Sequence, residues 1–290
     1  MLKPWTVRRP VAVYFGGSIR VWLSIAGVRS MPLWSLPPSR EPELMDDPGL
    51  PEAEHVVALA ALARINAVSR TSEQLARSVA SRFDARSRPA ASPPNSPRNA
   101  PLKVIDVACG GGDVTIGLAA RLGRLAGLRG HAAPEVIGID LSEVAVERAR
   151  RQAAARGVAV HFLAADITVA GCPPCDVAVS SLFLHHLDDT AATRLLESLA
   201  VASRFGVVIS DLIRSRLGLA LAVVGTTLLS RSRVARVDGP RSVRAARTPD
   251  EYRALFAAAG MGTATVRRTW PERVIVDWPG RGHQALARAS

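Results

Sequence analysis

The sequence predicts an α/β protein built on a doubly wound, mostly parallel sheet of seven strands, and three observations predict it. From residue 103 onward, short apolar runs alternate with longer stretches of helical periodicity. A glycine turn, Gly110-Gly111-Gly112, follows the first of those runs directly. Aspartates stand at or near the ends of successive runs, where sheets of this kind receive their ligands.

Residues 1–44 are basic and contain serine, and their apolar stretch is interrupted by Arg20. That makes them neither a clean signal sequence nor a membrane span, and Arg8-Arg9 is weak as a twin-arginine signal. The segment reads as a disordered leader outside the fold, either a targeting sequence or translation upstream of a start at Met45. The second is favoured because MDDPGLPEAEH opens a polar lead-in to a helical pattern. Residues 45–83 form an expected helical lid, with Val56, Leu59, Leu62 and Ile65, then Leu75 and Val79, at helical spacing. The second of its two helices is capped at Thr71 or Ser72. Residues 84–101 are rich in Pro, Ser and Arg and read as a flexible linker.

The main domain spans 102–278. Strands are expected at 103–109, 135–140, 158–163, 176–182 and 206–211, with helices at 112–126, 142–156 and 190–202. Residues 212–247 are an insertion. Thr248-Pro249-Asp250-Glu251 carries the capping-box pattern that opens a helix, and Gly260 ends it. Residues 263–268 and 273–277 complete the sheet as an antiparallel pair, and 279–290 are a tail. There is no internal repeat.

Apolar residues make up 48% of the 290-residue chain and aromatics 4%, so the core must rest on Ala, Val, Leu and Ile. A net charge of +12 invites an anionic partner such as nucleic acid or a membrane surface. Yet all the cations except Lys3 and Lys103 are arginine, the signature of a GC-rich coding sequence, and that explanation is preferred. Three cysteines, Cys109, Cys172 and Cys175, make no disulfide framework and suit a reducing, cytoplasmic compartment. Cys172-Pro-Pro-Cys175 has no second ligand pair to complete a zinc site, so it reads as a proline turn and no metal is expected.

The glycine turn does not fit a dinucleotide fingerprint, because Thr115 stands where a third glycine belongs. Nor does a Gly-Lys-Ser/Thr ending make it a phosphate-binding P-loop. Asp106 and Asp113 flank the turn and would repel a pyrophosphate, whereas an ammonium group would welcome a carboxylate. Asp140 closes the second strand, placed to bond ribose hydroxyls, and Asp166 follows the third, placed to accept from an adenine amine. Those contacts describe a nucleoside joined to an amino acid, S-adenosylmethionine. Cys109, wedged against the glycines, reads as packing.

Four segments in this order and spacing, Asp106-Val-Ala-Cys-Gly110-Gly-Gly112, Gly-Ile-Asp140-Leu-Ser, Ala-Asp166-Ile and Ser181-Leu-Phe-Leu-His-His-Leu, resemble class I S-adenosylmethionine-dependent methyltransferases. The nearest flavour is the ubiquinone/menaquinone-biosynthesis type and related small-molecule methylases. The resemblance covers about residues 102–212. It implies a Rossmann-like methyltransferase fold and cofactor contacts from Asp106, Ala108, Gly110, Gly112, Asp140, Leu141, Asp166, Ile167 and Ser181. Ala108 occupies the first glycine position of the D-x-G-x-G-x-G pattern, where mild crowding is expected rather than lost binding.

His185 and His186 follow the fourth strand and are candidate proton acceptors for a phenolic substrate, or simply a structural start to the next helix. Asp211, ending the fifth strand, could orient a histidine, contact substrate or satisfy backbone amides. His131 and His161 read as loop and strand side chains, and His55 and His283 have no company. The insertion's LGLALAVVGTTLL is too short to span a bilayer and precedes six arginines set against a lone acid, Asp238. It reads as a buried helix with a solvated loop, or as an apolar lid with a basic rim suited to a lipophilic acceptor and peripheral membrane contact. The expected activity is therefore O- or C-methylation of a small, lipophilic phenolic or quinol-like acceptor. Two alternatives are a nucleic-acid methyltransferase and a non-catalytic S-adenosylmethionine-binding regulator. Nucleic acid is not expected as a partner, because Ser-Ser-Leu-Phe replaces the Asn-Pro-Pro-Tyr of base methylases and no aromatics interleave with the arginines.

Overall fold

A computed structural model describes residues 36–86 and 100–280. Most of the expected leader, the linker over 87–99 and the tail from 281, with His283, lie outside the described residues. Seven strands form one sheet: β1 (Lys103–Val107), β2 (Glu135–Asp140), β3 (His161–Ala164), β4 (Val177–Ser181), β5 (Val207–Leu212), β6 (Thr265–Thr269) and β7 (Arg273–Trp278). Their order is β3-β2-β1-β4-β5-β7-β6, parallel throughout except for the two antiparallel pairings of β7 with β5 and β6. The order reverses between β1 and β4, which opens a crevice at their carboxyl ends.

The strands read as unbroken apolar runs because helices cover both faces. Val104, Val177, Val179, Val208 and Ile275 turn to one face, under Leu75, Val79, Leu118 and Leu122 of α2 (Thr71–Arg86) and α3 (Asp113–Leu128). Their neighbours Ile105, Ala178, Ile209, Val274 and Val276 turn to the other. There Leu195, Leu196 and Leu199 of α6 (Asp189–Ala202) meet Tyr252 and Phe256 of α9 (Pro249–Ala258). The expected capping box opens α9 in full, with Thr248 and Glu251 bonding reciprocally. α4 (Glu143–Ala155) starts at the Ser142 cap and packs Val146 and Ala149 against Phe162 and Ile116. The short α5 (Ile167–Ala170) starts at Asp166. The third strand begins at His161 rather than 158, since Val158 and Val160 pack partly buried against α-helical side chains before the ladder is joined.

The two helices expected ahead of the sheet are α1 (Glu52–Val68) and α2. The insertion is not a helix and a loop but two helices, α7 (Arg216–Leu229) and α8 (Arg233–Ala245), packed on each other and on α1. Three of the six arginines expected around the insertion, Arg236, Arg241 and Arg247, serve as clamps. Arg236 donates to Ser230 O (2.9 Å), and buried Arg247 donates to Leu184 O (2.7 Å) and Leu187 O (2.8 Å). Residues 36–44, read from sequence as outside the fold, dock on α8 instead. Ser39 N donates to Arg244 O (3.1 Å) and Arg241 Nη1 to Pro42 O (2.8 Å). The amides of Leu44 and Met45 both donate to the Asp238 carboxylate, at 2.8 and 3.0 Å. The insertion's lone acid thus fixes a strap that sequence periodicity could not assign. Cys172 and Cys175 are free thiols in the turn before β4.

Candidate active site

A cavity of about 940 Å³ opens at the carboxyl ends of β1 to β4 and runs beneath α1, α7 and α8. Of the expected cofactor residues, Ala108, Gly110, Asp140, Leu141, Asp166, Ile167 and Ser181 line it; Asp106 and Gly112 do not. Gly112 has φ +76°, and a Cβ there would stand 2.6 Å from Ala149 Cβ, so its glycine serves the approach of α3 to α4. Gly110 also has positive φ (+53°), but a Cβ there would meet only Leu59, at 3.9 Å, so that its backbone stays open to the cavity.

Asp140 holds the glycine turn in place. Its Oδ2 accepts from Gly110 N at 2.7 Å and its Oδ1 from Ser142 N at 2.9 Å, which ties the end of β1 to the end of β2. Each oxygen keeps a lone pair for a ligand. Asp166 caps α5, accepting from Thr168 N (2.9 Å) and Thr168 Oγ1 (2.6 Å) through Oδ1, and those bonds hold its carboxyl below the usual range. Asp113, at the first turn of α3, accepts from Asn66 Nδ2 of α1 at 3.1 Å. Burial raises its pKa despite that bond.

Asp106 lies under the turn with no exposure. Its Oδ2 accepts from Thr115 Oγ1 at 2.6 Å, while Oδ1 has no partner. Of the two acids flanking the turn, Asp113 therefore lines the cavity and Asp106 does not. Burial first, with Asp113 and Asp140 adding repulsion against the Thr115 bond, pushes the Asp106 pKa up to about 7. Ala108 has φ +56°, the left-handed region in which a Cβ costs about 1–2 kcal/mol. The departure from glycine is thus a matter of backbone strain more than of crowding.

At the opposite wall stand the two histidines, in a 3-10 turn Leu184–His186. His185 is 3% exposed; its Nδ1 lies 2.6 Å from Asp211 Oδ1 and its amide donates to Asp211 Oδ2 at 3.1 Å. Asp211, wholly buried and also bonded by Leu212 N (2.7 Å), is therefore the orienting residue and does not line the cavity. Burial alone would lower the His185 pKa, but Asp211 and then Glu43 push it up to about 10. The two carboxylates thus favour a proton on this ring, which works against the expected role of neutral proton acceptor. His186, half-buried, faces Asp46 Oδ2 through Nδ1 at 3.0 Å. Its ring centroid lies 4.4 Å from that of His185.

Several lining residues had no signal in the sequence. Glu43 and Asp46 come from the strap. Arg273, 2% exposed at the start of β7, donates to Thr71 Oγ1 (2.7 Å) and Asn66 Oδ1 (3.0 Å). Burial lowers its pKa to about 10, with Asp211 and Asp113 opposing, so it remains a cation in the cavity wall. A single cation opening the apolar run Arg273-Val-Ile-Val was the one hint available. His55 also lines the cavity, His131 stacks on Phe83 and His161 is exposed.

Residues 104–205 match the family model described as a methyltransferase domain. No curated protein gives a significant match. Among solved structures, the chain is similar to human N-acetylserotonin methyltransferase in complex with S-adenosylmethionine, at 18% identity and TM-score 0.51, over 79% of this chain and 57% of that one. It is similar also to a presumed O-methyltransferase of Nostoc punctiforme, at 20% identity and TM-score 0.50, over 77% and 60%. This chain thus spans less than two-thirds of either relative's length. At these identities the likeness shows the fold, a Rossmann-like methyltransferase sheet with helices ahead of it. With the family match, it makes residues 104–205 a methyltransferase domain.

Two outcomes follow from the turn. Ala108→Gly relieves the left-handed strain against a larger unfolded-state entropy, a net gain of about 0.5–1 kcal/mol in urea denaturation; a loss would show that the strain is absent. Asp106 is neutral in the fold up to about pH 7 but ionised in the unfolded chain above the ordinary aspartate value of 3.8. Its contribution to stability is full below that lower value, falls as pH rises through the window at up to roughly 1.4 kcal/mol per unit, and is flat above about 7. Asp106→Asn removes this slope, so the variant gains on the wild type in thermal melts from pH 5 to about 7 and holds that gain at pH 8.

Proposed function

We propose that this methyltransferase domain alkylates a hydroxyl of a small, lipophilic phenolic or quinol-like acceptor held beneath α1, α7 and α8. The observation that carries the proposal is one continuous cavity with two unlike ends. Strand-end carboxylates line one end. Leu62 and Ile65 of α1, Leu221, Ala222 and Val224 of α7 and the two histidines line the rest, while Leu59 of α1 lies over the glycine turn. Its volume is near the top of the range of about 300–1,000 Å³ for small-molecule sites, which suits a donor and an acceptor together.

The residues present fit S-adenosylmethionine. Asp140 would take the ribose hydroxyls, Asp166 the adenine amine and Asp113 the ammonium group. Arg273 and the open amides at the α3 N-terminus would favour the carboxylate. Leu141, Ile167 and Ser181 complete the walls. When bound, this donor supplies an electrophilic methyl group on a sulfonium. An acceptor hydroxyl placed beside it would take that methyl group as the carbon–sulfur bond opened onto sulfur, and its proton would go to solvent.

The chain's part is to align the two and exclude water. The strap and α7–α8 cover the acceptor end, and the Glu43–His185–His186 cluster stands where a reacting hydroxyl would lie. Leu217, Val223 and Leu228 on the outer side of α7 are exposed, an apolar approach consistent with a lipophilic acceptor and with contact at a membrane surface. Among the described residues no helix is long and apolar enough to cross a membrane.

Calorimetry with S-adenosylhomocysteine tests the cofactor end. Asp140→Ala should weaken binding at least tenfold, as expected for lost charge-assisted bonds of about 1.5–3 kcal/mol; unchanged affinity would overturn the assignment. Incubation with methyl-labelled cofactor and separate lipid-soluble, aqueous and RNA extracts tests the acceptor end. Label in a lipid-soluble phenol is expected, and label confined to RNA or to the aqueous fraction would refute it.

A further inference from the structure

We propose that Glu43, His185 and His186 bind a divalent transition-metal ion at the acceptor end of the cavity, a site for which the sequence gave no ligand pattern. Their ligating atoms all lie within 4.8 Å of one another. His185 Nε2 stands 3.6 Å from Glu43 Oε1, and His186 Nε2 stands 3.8 Å from Glu43 Oε2. Both separations are too long for hydrogen bonds. They suit atoms that share one ion, since ligands each about 2.0–2.2 Å from a common centre stand about 3–4 Å apart.

The surroundings are those of a ligand set. Each imidazole has its other nitrogen against a carboxylate: His185 Nδ1 on Asp211 Oδ1 at 2.6 Å, and His186 Nδ1 on Asp46 Oδ2 at 3.0 Å. This arrangement fixes both rings and turns both Nε2 atoms to the same side. Ser242 Oγ donates to Glu43 Oε1 at 2.5 Å and orients the third ligand. Three carboxylates therefore converge on two imidazoles at the edge of an apolar cavity, an excess of negative charge that a dication offsets. Salt bridges alone would account for one of these pairings, but not for two buttressed rings aimed at the two oxygens of a single carboxylate.

Two imidazoles and a carboxylate select zinc, iron(II) or cobalt over magnesium or calcium, which prefer oxygen donors. Three protein ligands leave positions open, and all three residues line the cavity. An acceptor hydroxyl taken up there would lose its proton to solvent as it coordinates, and its oxygen would be held toward the methyl donor. This role rests on the methyl-transfer reading; the site itself does not.

The test uses the full-length chain, stripped with a chelator and titrated with Co²⁺ near neutral pH, followed by visible absorption and thermal melting. One equivalent should bind with d–d bands and a raised Tm. Glu43→Gln and His186→Ala should each weaken binding by at least tenfold, and Asp46→Asn, which removes only a buttress, by about tenfold. No stoichiometric uptake, or uptake unchanged in both Glu43→Gln and His186→Ala, would overturn the site. Glu43→Gln lies outside the sheet and decides the matter if His186→Ala fails to fold. Binding of S-adenosylhomocysteine to the metal-free protein reads the methyltransferase assignment separately, so either conclusion can fail without the other.

Discussion

A carboxylate with no exposure to water has to find its partners within the chain, and at the end of β5 that requirement shapes the histidine side of the site. Asp211 accepts from the amides of His185 and Leu212 and lies 2.6 Å from the His185 ring. These contacts pull the turn after β4 onto the end of β5 and aim His185 Nε2 at the cavity. Removing the carboxylate would leave a buried ring and a buried amide without partners, a cost of about 1–3 kcal/mol for each group. The orientation of His185 is therefore inseparable from the packing of two central strands.

The cofactor side depends on an equivalent device. Asp140 spans the ends of β1 and β2 through Gly110 N and Ser142 N, so one side chain sets both the glycine turn and the start of α4. This half was legible in the sequence. Apolar runs closed by acids have a period and an order, and a parallel sheet puts such ends side by side. Asp106 was legible as an acid but not as a shielded one, because whether a strand residue faces a ligand or the underside of a turn depends on local backbone geometry. Asp211 was visible with three roles open, and the structure assigns orientation of His185 and satisfaction of amides.

The acceptor half was hidden for a different reason. Glu43 and Asp46 lie before the first helical period, in a segment with no periodicity of its own. They reach the site only because Asp238 accepts the amides of Leu44 and Met45. Nothing local marks Asp238 as that anchor; it reads as one acid among arginines. Those arginines misled in the same way. Composition presents them as a basic rim, whereas Arg247, 3% exposed, satisfies the carbonyls of Leu184 and Leu187 and so fixes the turn that carries the histidines. Arg214 likewise joins Leu36 O to Ala246 O, at 2.9 and 2.7 Å. A guanidinium suits this work because its five donors reach several carbonyls at once.

These contacts make the cover and the reacting end a single mechanical unit. The strap is bonded to α8 through Asp238, Ser242 and Arg241, and it faces the β4 turn through Glu43 and Asp46. α8 packs on α7 and α1, which wall the apolar end of the cavity. The strap therefore carries two of the carboxylates that face the histidines, Glu43 and Asp46. Cover and histidine turn are thus joined through these two carboxylates, so the charge around the histidines depends on where the strap is docked.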